Sequence, residues 1–236
     1  MRHRNFANRR AAGRELAGAV AALIARIPEM DDPVLLALPR GGVPVAGEIA
    51  REIDAPLDLV MVRKIGVPWR PELAAAAIVD GETPQLVVNE EVVAAARMTA
   101  EDLEAGKRKQ LAEIERRRRR YLEGRAPVAV HGRDAIVVDD GVATGATTRA
   151  VLKAVRLRQP RSHTLAIPVA PPDTAALLRS EVDHLICLEN PPDFHAIGQF
   201  YDDFTQVSDE EVVRILCRPE KHRDDNAPGG PSSGGR

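Results

Sequence analysis

Apolar residues along the chain follow two alternating patterns. Short, nearly continuous apolar runs predict buried strands at residues 34–38, 57–62, 134–139, 164–169 and 183–188. Apolar residues at helical spacing predict helices at residues 9–27, 43–53, 145–158, 173–180 and 208–217. Parallel sheets bury such strands under helices on both faces. The alternation therefore predicts an α/β fold with a doubly wound, mainly parallel sheet.

The pattern changes over residues 66–127. Its pattern predicts a small hairpin formed by residues 73–79 and 86–88. Two helices are predicted after the hairpin, at residues 90–97 and 100–123. Thr99 and Asp102 form a capping box before the second helix. We interpret the region as a hairpin and helical insertion, or hood, within a single domain of residues 1–217. Residues 218–236 are rich in Gly, Pro and Ser with almost no apolar content, which predicts a disordered tail.

Net charge, cysteine content and the length of the apolar runs limit the classes of protein to which the chain can belong. The formal net charge of −2 over 236 residues gives no global attraction to nucleic acid. The two cysteines, Cys187 and Cys217, lack the spacing of a disulfide framework or a zinc site. No apolar run approaches the roughly 20 residues of a membrane span, and the N-terminus has no signal-peptide pattern. The sequence therefore predicts a cytoplasmic protein.

The segment VVDDGVATGATT, residues 137–148, combines two carboxylates with small and hydroxyl residues. Asp139 and Asp140 follow a predicted strand, and ligands of open α/β sheets bind beyond the carboxyl ends of strands. Small residues let backbone amides at the next helix N-terminus surround a phosphate. The carboxylates would accept hydrogen bonds from hydroxyls of the same ligand. A ribose 5-phosphate meets both demands, whereas the alternative is a polar turn after a buried strand.

Residues 136–147 resemble the signature of type I phosphoribosyltransferases, which bind 5-phosphoribosyl-1-diphosphate (PRPP). Leu38-Pro-Arg-Gly-Gly42 is similar to the pyrophosphate loop of that family. This similarity implies a cis peptide before Arg40 and backbone amides directed at the diphosphate. The resemblance implies the following PRPP-binding residues: Arg40, Gly41, Gly42, Arg63, Lys64, Asp139, Asp140, Ala143, Thr144, Gly145, Ala146, Thr147 and Thr148.

The resemblance further implies that the 5-phosphoribosyl group passes to a nitrogen acceptor, such as a nucleobase, with release of diphosphate. The same resemblance implies catalytic roles for Arg40, Lys64, Asp139 and Asp140. Arg63 and Lys64 would neutralise the leaving diphosphate, although a surface pair at a strand end is the alternative. Mg²⁺ is implied near Asp139 and Asp140 through water, and a homodimer is implied by analogy. The insertion would supply a mobile cover.

The acceptor site is expected in residues 190–204, which hold three of the four Phe and one of the two Tyr residues. The candidates are Phe194, His195 and Tyr201, because aromatic rings can stack on a planar base. Asp202 is added because Gly198-x-x-x-Asp202 is similar to a stretch in hypoxanthine-guanine phosphoribosyltransferases, which implies an aspartate near the diphosphate and metal. Alternatively, Phe200 and Phe204 fill a small local core, and His195 is a surface residue. Ala143 occupies the position at which hypoxanthine-guanine phosphoribosyltransferases carry an acidic residue. The identity of the acceptor is therefore left open, and it need not be a nucleobase.

The run Arg116 to Arg120 supports a rival, non-enzymatic hypothesis. Consecutive arginines on a helix point in all directions, and Glu113, Glu115 and Glu123 are close enough to pair with them. This pattern favours a solvated helix. The alternative is a basic surface for RNA on a non-catalytic protein that binds PRPP or nucleotides. A domain that has lost its catalytic activity is a third hypothesis, against which both intact loops argue.

Overall fold

The computed structural model describes residues 5–81 and 84–217, so the tail predicted at 218–236 lies outside the described residues. In chain order, the strands are β1 (Pro33–Ala37), β2 (Leu57–Leu59), β3 (Val62–Val67), β4 (Arg70–Val79), β5 (Gln85–Val88), β6 (Asp134–Val138), β7 (Ser162–Val169) and β8 (His184–Glu189). Five of them form a parallel sheet in the order β2-β1-β6-β7-β8. The predicted parallel α/β fold is confirmed.

The helices are α1 (Arg9–Arg26), α2 (Gly42–Ile53), α3 (Glu90–Ala95), α4 (Ala100–Leu122), α5 (Ala146–Leu157), α6 (Pro172–Arg179) and α7 (Asp209–Leu216). Asn8 caps α1, because its side chain accepts a hydrogen bond from the Ala11 amide at 2.9 Å. The capping box of Thr99 and Asp102 is present at the start of α4, as the sequence predicts. Within the described part of the chain, no helix has the length and apolar character needed to cross a membrane.

Both faces of the parallel sheet are buried by helices. Successive residues of a strand point to opposite faces, so Leu35 belongs to one apolar core and Leu36 to the other. The first core includes residues of α1, α2 and α7, and the second includes residues of α5 and α6. This two-sided burial explains why the strands appear in the sequence as nearly continuous apolar runs.

The predicted second strand, 57–62, is wrong in its extent. Only Leu57–Leu59 joins the parallel sheet, and Val62 already belongs to a separate antiparallel sheet in the order β3-β4-β5. Met61 lies at the junction, where its amide donates to a carboxylate oxygen of Asp80 at 2.7 Å. An apolar run does not reveal such a change of partner, because both sheets bury their residues. The smaller sheet thus begins at Val62 rather than at residue 66.

The rest of the insertion has the predicted elements. The hairpin at 73–79 and 86–88 is confirmed as the antiparallel pair β4 and β5, which extends from Arg70 to Val88. Arg118 of α4 attaches the insertion to the main sheet. Its guanidinium donates to Asp80 at 2.6 Å and to Asp58, in β2, at 3.3 Å. That residues 1–217 act as one domain stays a prediction.

Candidate functional site

The two predicted loops lie side by side at the carboxyl edge of the parallel sheet. β1 and β6 are neighbours in register, with Ala37 opposite Val138, so residues 38–42 and 139–140 emerge together. The amide of Leu38 donates to the Val138 carbonyl at 2.9 Å and joins the first loop to the end of β6. The Pro39–Arg40 peptide is cis, as the resemblance implies.

Glycine allows the two loops to approach each other closely. A Cβ atom at Gly41 would lie 2.1 Å from Oδ2 of Asp140, and one at Gly42 would lie 2.6 Å from the Val138 carbonyl oxygen. Both distances are far below van der Waals contact. The backbone of Gly41 therefore lies directly against the Asp140 carboxylate, which places the first loop and the acid pair in one site.

The second loop runs from Gly141 into α5. Gly141 and Gly145 have φ angles of 150° and 76°, a region that favours glycine. The Thr174 hydroxyl donates to the Ala143 carbonyl at 2.8 Å and holds the loop against α6. Among the residues that the structure describes, no side chain caps α5 at Gly145. The first amides of α5, from Ala146 onward, are therefore available to an anion.

The residues of this loop differ in exposure. Ala143 and Thr144 are exposed, Thr147 is half-buried, and Thr148 is buried on the inner side of α5. The predicted role of Thr148 as a hydroxyl donor to the ligand therefore lacks support, because helical periodicity turns its side chain toward the core. Its backbone amide, in the first turn of α5, keeps the predicted role.

Asp139 and Asp140 differ in their partners. The Asp140 carboxylate accepts a hydrogen bond from Nε of Arg9 at 2.7 Å, and both side chains are nearly buried. The Asp139 carboxylate accepts from the Asp140 amide at 2.9 Å. Burial, followed by the negative charge of Asp140, raises the pKa of Asp139 well above its usual value. A cation or hydroxyl donors beside Asp139 would relieve this repulsion.

Arg9 is a site residue that the sequence motifs do not predict. Its guanidinium also donates to the Thr205 carbonyl at 2.8 Å and lies 3.8 Å from the ring centre of Phe204. The only sequence feature that could have indicated a role for Arg9 is its position at the start of a predicted helix. Its partner Asp140 is 131 residues away along the chain, and helix periodicity does not reveal such a pairing.

Tyr201 was predicted to contact the acceptor, but it has a different environment. Its side chain is buried, with its ring 5.6 Å from that of Phe6 and 5.1 Å from that of Phe204. Its hydroxyl donates to the backbone carbonyl of Asp140 at 2.6 Å. Burial raises the pKa of Tyr201, which keeps the hydroxyl protonated as a donor. This hydrogen bond holds the backbone at Asp140, and the predicted contact of Tyr201 with an acceptor stays a prediction.

The other acceptor candidates lie near the surface. Phe194 is half-buried, with its ring centre 5.1 Å from that of Phe200, which fills the local core. His195 is exposed and lies 3.0 Å from Asp193. Asp202 is exposed and accepts a hydrogen bond from the side chain of Asn5 at 3.2 Å. Of these residues, Phe194 and His195 stay available to an acceptor.

Arg63 and Lys64 lie in β3 rather than at an end of a parallel strand, which corrects their predicted position. Nε of Arg63 donates to Oε1 of Gln110 on α4 at 3.1 Å. Lys64 is exposed and pairs in register with Ala77 of β4. These contacts place both cations within the insertion, so their role toward a diphosphate stays a prediction.

The arginine run on α4 is paired with acids, as a solvated helix predicts. Nε of both Arg116 and Arg117 donates to Glu113 at 2.8 Å, and Arg119 lies 2.8 Å from Glu115. Arg120 lies 2.8 Å from Asp209. Since Arg118 contacts Asp58 and Asp80, each arginine of the run has an acidic partner. The run is therefore not a uniform basic face.

Comparison with known proteins gives consistent results. A family model described as a phosphoribosyl transferase domain matches residues 8–205. Proteins of Mycobacterium tuberculosis strains H37Rv and CDC 1551, named provisionally as phosphoribosyl transferases, are each 45% identical over 219 residues, or 93% of this chain. The chain spans about half of their length, since the match covers 47% of each. The crystal structure of TT1426 from Thermus thermophilus is 40% identical with a TM-score of 0.75, covering 90% of this chain and 97% of that chain.

Proposed function

Because the chain belongs to the phosphoribosyl transferase domain family, we propose that it transfers the 5-phosphoribosyl group of PRPP to a nitrogen acceptor and releases diphosphate. One observation carries the proposal. The Asp139–Asp140 pair, the cis-peptide loop and the N-terminus of α5 meet at one edge of the sheet. A ligand with two hydroxyls between two phosphate groups needs that combination of acceptors and donors.

Each part of PRPP has a matching part of the site. The 5-phosphate would bind the amides of the loop from Ala143 to Thr148, assisted by the hydroxyls of Thr144 and Thr147. The ribose hydroxyls would donate to Asp139 and Asp140. The diphosphate would meet the amides of Arg40 and Gly41, the second of which lies directly beside Asp140. The Gly42 amide already donates to the Leu38 carbonyl at 3.0 Å, so its predicted contact with the diphosphate would require the loop to change.

The acid pair also fits Mg²⁺. Mg²⁺ prefers oxygen ligands, keeps several waters and relies on substrate phosphates, so it needs few protein ligands. Among the described residues, no cluster of three or more metal-ligating side chains exists. Asp139 and Asp140 would therefore hold the ion through water, with substrate oxygens as the other ligands. The ion would neutralise negative charge on the diphosphate.

The reaction breaks the bond between C1 of the ribose and the diphosphate oxygen, whose electron pair leaves with the diphosphate. The acceptor nitrogen supplies the electron pair of the new bond to C1 and releases its proton to water. The protein contributes orientation and stabilisation of developing charge. Asp139 and Asp140 orient the ribose, and Arg40 contributes its backbone amide to the leaving group. Lys64, exposed on β3, is a candidate for neutralising that group if the insertion moves over the site.

The acceptor would approach from residues 190–204. Phe194 is the candidate for stacking on a planar nitrogen base, with His195 beside it. The exposed side chain of Asp202 is a weaker candidate, since Asn5 already donates to it. A nucleobase is the favoured class because it combines a planar ring with a nucleophilic nitrogen. A homodimer and a cytoplasmic location stay predictions.

A titration with PRPP, with and without Mg²⁺, tests the donor site. We expect Mg²⁺-dependent binding that the double variant Asp139→Asn/Asp140→Asn loses. Glu52→Gln is the control, because Glu52 is an exposed acid near the end of α2 and outside the pair. A panel of nucleobases, assayed for diphosphate release, then tests transfer. Failure of the wild-type protein to bind PRPP would refute the proposal, and binding without release by any base would favour a regulatory protein.

A further inference from the structure

A second group of cations lies beside the pyrophosphate loop. The Arg40 side chain extends toward the start of α7, where one of its terminal nitrogens lies 3.6 Å from Oδ1 of Asp209. A cavity of about 160 Å³ opens at this point. We call it the arginine pocket. It is lined by Arg40, Arg116, Arg117, Arg120, Tyr121 and Asp209.

The lining of the arginine pocket contains four guanidinium groups and one carboxylate. That carboxylate, Asp209, is shared. It accepts a hydrogen bond from the Tyr121 hydroxyl at 2.6 Å and lies 2.8 Å from Arg120, whereas Arg40 is at 3.6 Å. The hydrogen bond from Tyr121, followed by the charges of Arg120 and Arg40, lowers the pKa of Asp209. Asp209 is therefore ionised and acts as an internal anion.

Carboxylates around the pocket do not balance its positive charge. Glu113 is shared by Arg116 and Arg117, and Glu210 lies 3.4 Å from Arg120. With Asp209, these groups supply three negative charges against the four guanidinium groups of the lining. The contact of Arg40 at 3.6 Å is longer than a direct hydrogen bond. The pocket therefore keeps a surplus of positive charge and unfilled donor capacity.

We infer that the arginine pocket binds a multiply charged phosphate anion. Guanidinium groups present planar pairs of donors that match phosphate oxygens, and several such groups converge here. The volume of the cavity exceeds that of several water molecules, since each occupies roughly 30 Å³. The pocket thus has room for a phosphate group.

Arg40 connects this pocket with the donor site. Its backbone belongs to the pyrophosphate loop, whose Gly41 lies against Asp140, whereas its side chain lines the arginine pocket. An anion in the pocket would compete with Asp209 for Arg40 and so act on the loop. The anion that we assign to this pocket is a phosphate compound separate from the donor, because the donor diphosphate is proposed to meet the backbone amides of the loop rather than the Arg40 side chain.

Calorimetric titration of the full chain with inorganic tripolyphosphate tests the inference. We expect Arg116→Gln/Arg117→Gln to weaken binding at least about tenfold, as the loss of two charge-assisted contacts requires. Arg119→Gln is the matched control, because Arg119 lies on the same helix outside the pocket. Equal affinity of the wild-type protein and the double variant would overturn the inference.

Two further variants separate this inference from misfolding and from the donor site. Asp209→Asn removes the internal anion, so it should tighten tripolyphosphate binding several-fold, and a misfolded protein would not reproduce this gain. Asp139→Asn/Asp140→Asn should bind tripolyphosphate normally even if PRPP binding fails. Loss of tripolyphosphate binding in that variant would place the anion at the donor site and overturn the inference. Simultaneous binding of PRPP and tripolyphosphate would support a separate phosphate ligand, whereas exclusion of tripolyphosphate by saturating PRPP would place it at the donor site and overturn the inference.

Discussion

Nε of Arg9 lies 2.7 Å from Oδ2 of Asp140, so the first residue of α1 supplies a cation to an acid at the end of β6. The exposed fractions of the two side chains are 11% and 12%. A nearly buried ion pair contributes little when intact, but removal of one partner leaves an uncompensated buried charge.

Arg9→Met should therefore lower the free energy of unfolding by about 3 kcal/mol at neutral pH. Urea denaturation measures this loss. Arg14→Met is the control, because Arg14 is exposed on the same helix and should change stability by less than about 0.5 kcal/mol. Similar losses of unfolding free energy in both variants would show that the contact between Arg9 and Asp140 makes no specific contribution to stability.

Gly41→Ala should impair PRPP binding. The new Cβ would lie 2.1 Å from Oδ2 of Asp140, so the loop or the carboxylate must move. We expect at least about a tenfold loss of affinity, measured by calorimetry, if both loops bind the donor. Gly18→Ala is the control, since its added Cβ has no described atom within 4 Å other than those of its chain neighbours and its own helix backbone. This control should stabilise α1 by about 0.5–1 kcal/mol and leave binding unchanged. Unaltered affinity of Gly41→Ala would contradict the arrangement of the donor site.

Arg118→Met should destabilise the protein more than any other substitution in the arginine run. It leaves the carboxylates of Asp58 and Asp80, which are 2% and 3% exposed as residues, without their shared guanidinium. The expected loss is about 3–5 kcal/mol, measured by chemical denaturation. Arg119→Met removes a pair at the surface and should cost at most about 0.5 kcal/mol. Equal effects would argue against Arg118 as the attachment between the two sheets.

His163 should make the fold sensitive to acid. Its side chain is buried in β7, and both ring nitrogens have no hydrogen-bond partner among the described residues. Burial, followed by the charge of Arg156, lowers the pKa of His163 from 6.5 to about 4. Between these values the unfolded chain binds a proton that the folded protein excludes. The contribution of His163 to the free energy of unfolding is therefore fully present above pH 6.5, and it is lost as the pH falls toward 4.

The variant His163→Leu should retain about 3 kcal/mol more of its neutral-pH stability at pH 4 than the wild-type protein. Denaturation at a series of pH values measures the difference. His131→Leu is the control, because it removes an exposed histidine. Parallel pH profiles of the wild-type protein and His163→Leu would refute the effect.

Local patterns were sufficient to predict the parallel sheet and the two loops. A strand buried on both faces leaves a continuous apolar run, and a loop that must surround a ligand needs small residues, so both features are encoded in neighbouring residues. The same holds for the capping box at Thr99 and for the hairpin of β4 and β5. The resemblance added the cis peptide before Arg40, which local propensity would not indicate.

Only the tertiary structure decided which distant residues meet these loops. Arg9 and Tyr201 contact Asp140 from 131 and 61 residues away, and the apolar run at 57–62 divides between two sheets. The arginine run divides in the same way, since Arg118 faces buried acids while Arg120 faces Asp209. Such pairings depend on how elements pack in space. Hydrophobic periodicity defines the buried face of an element, but it does not define which element covers that face.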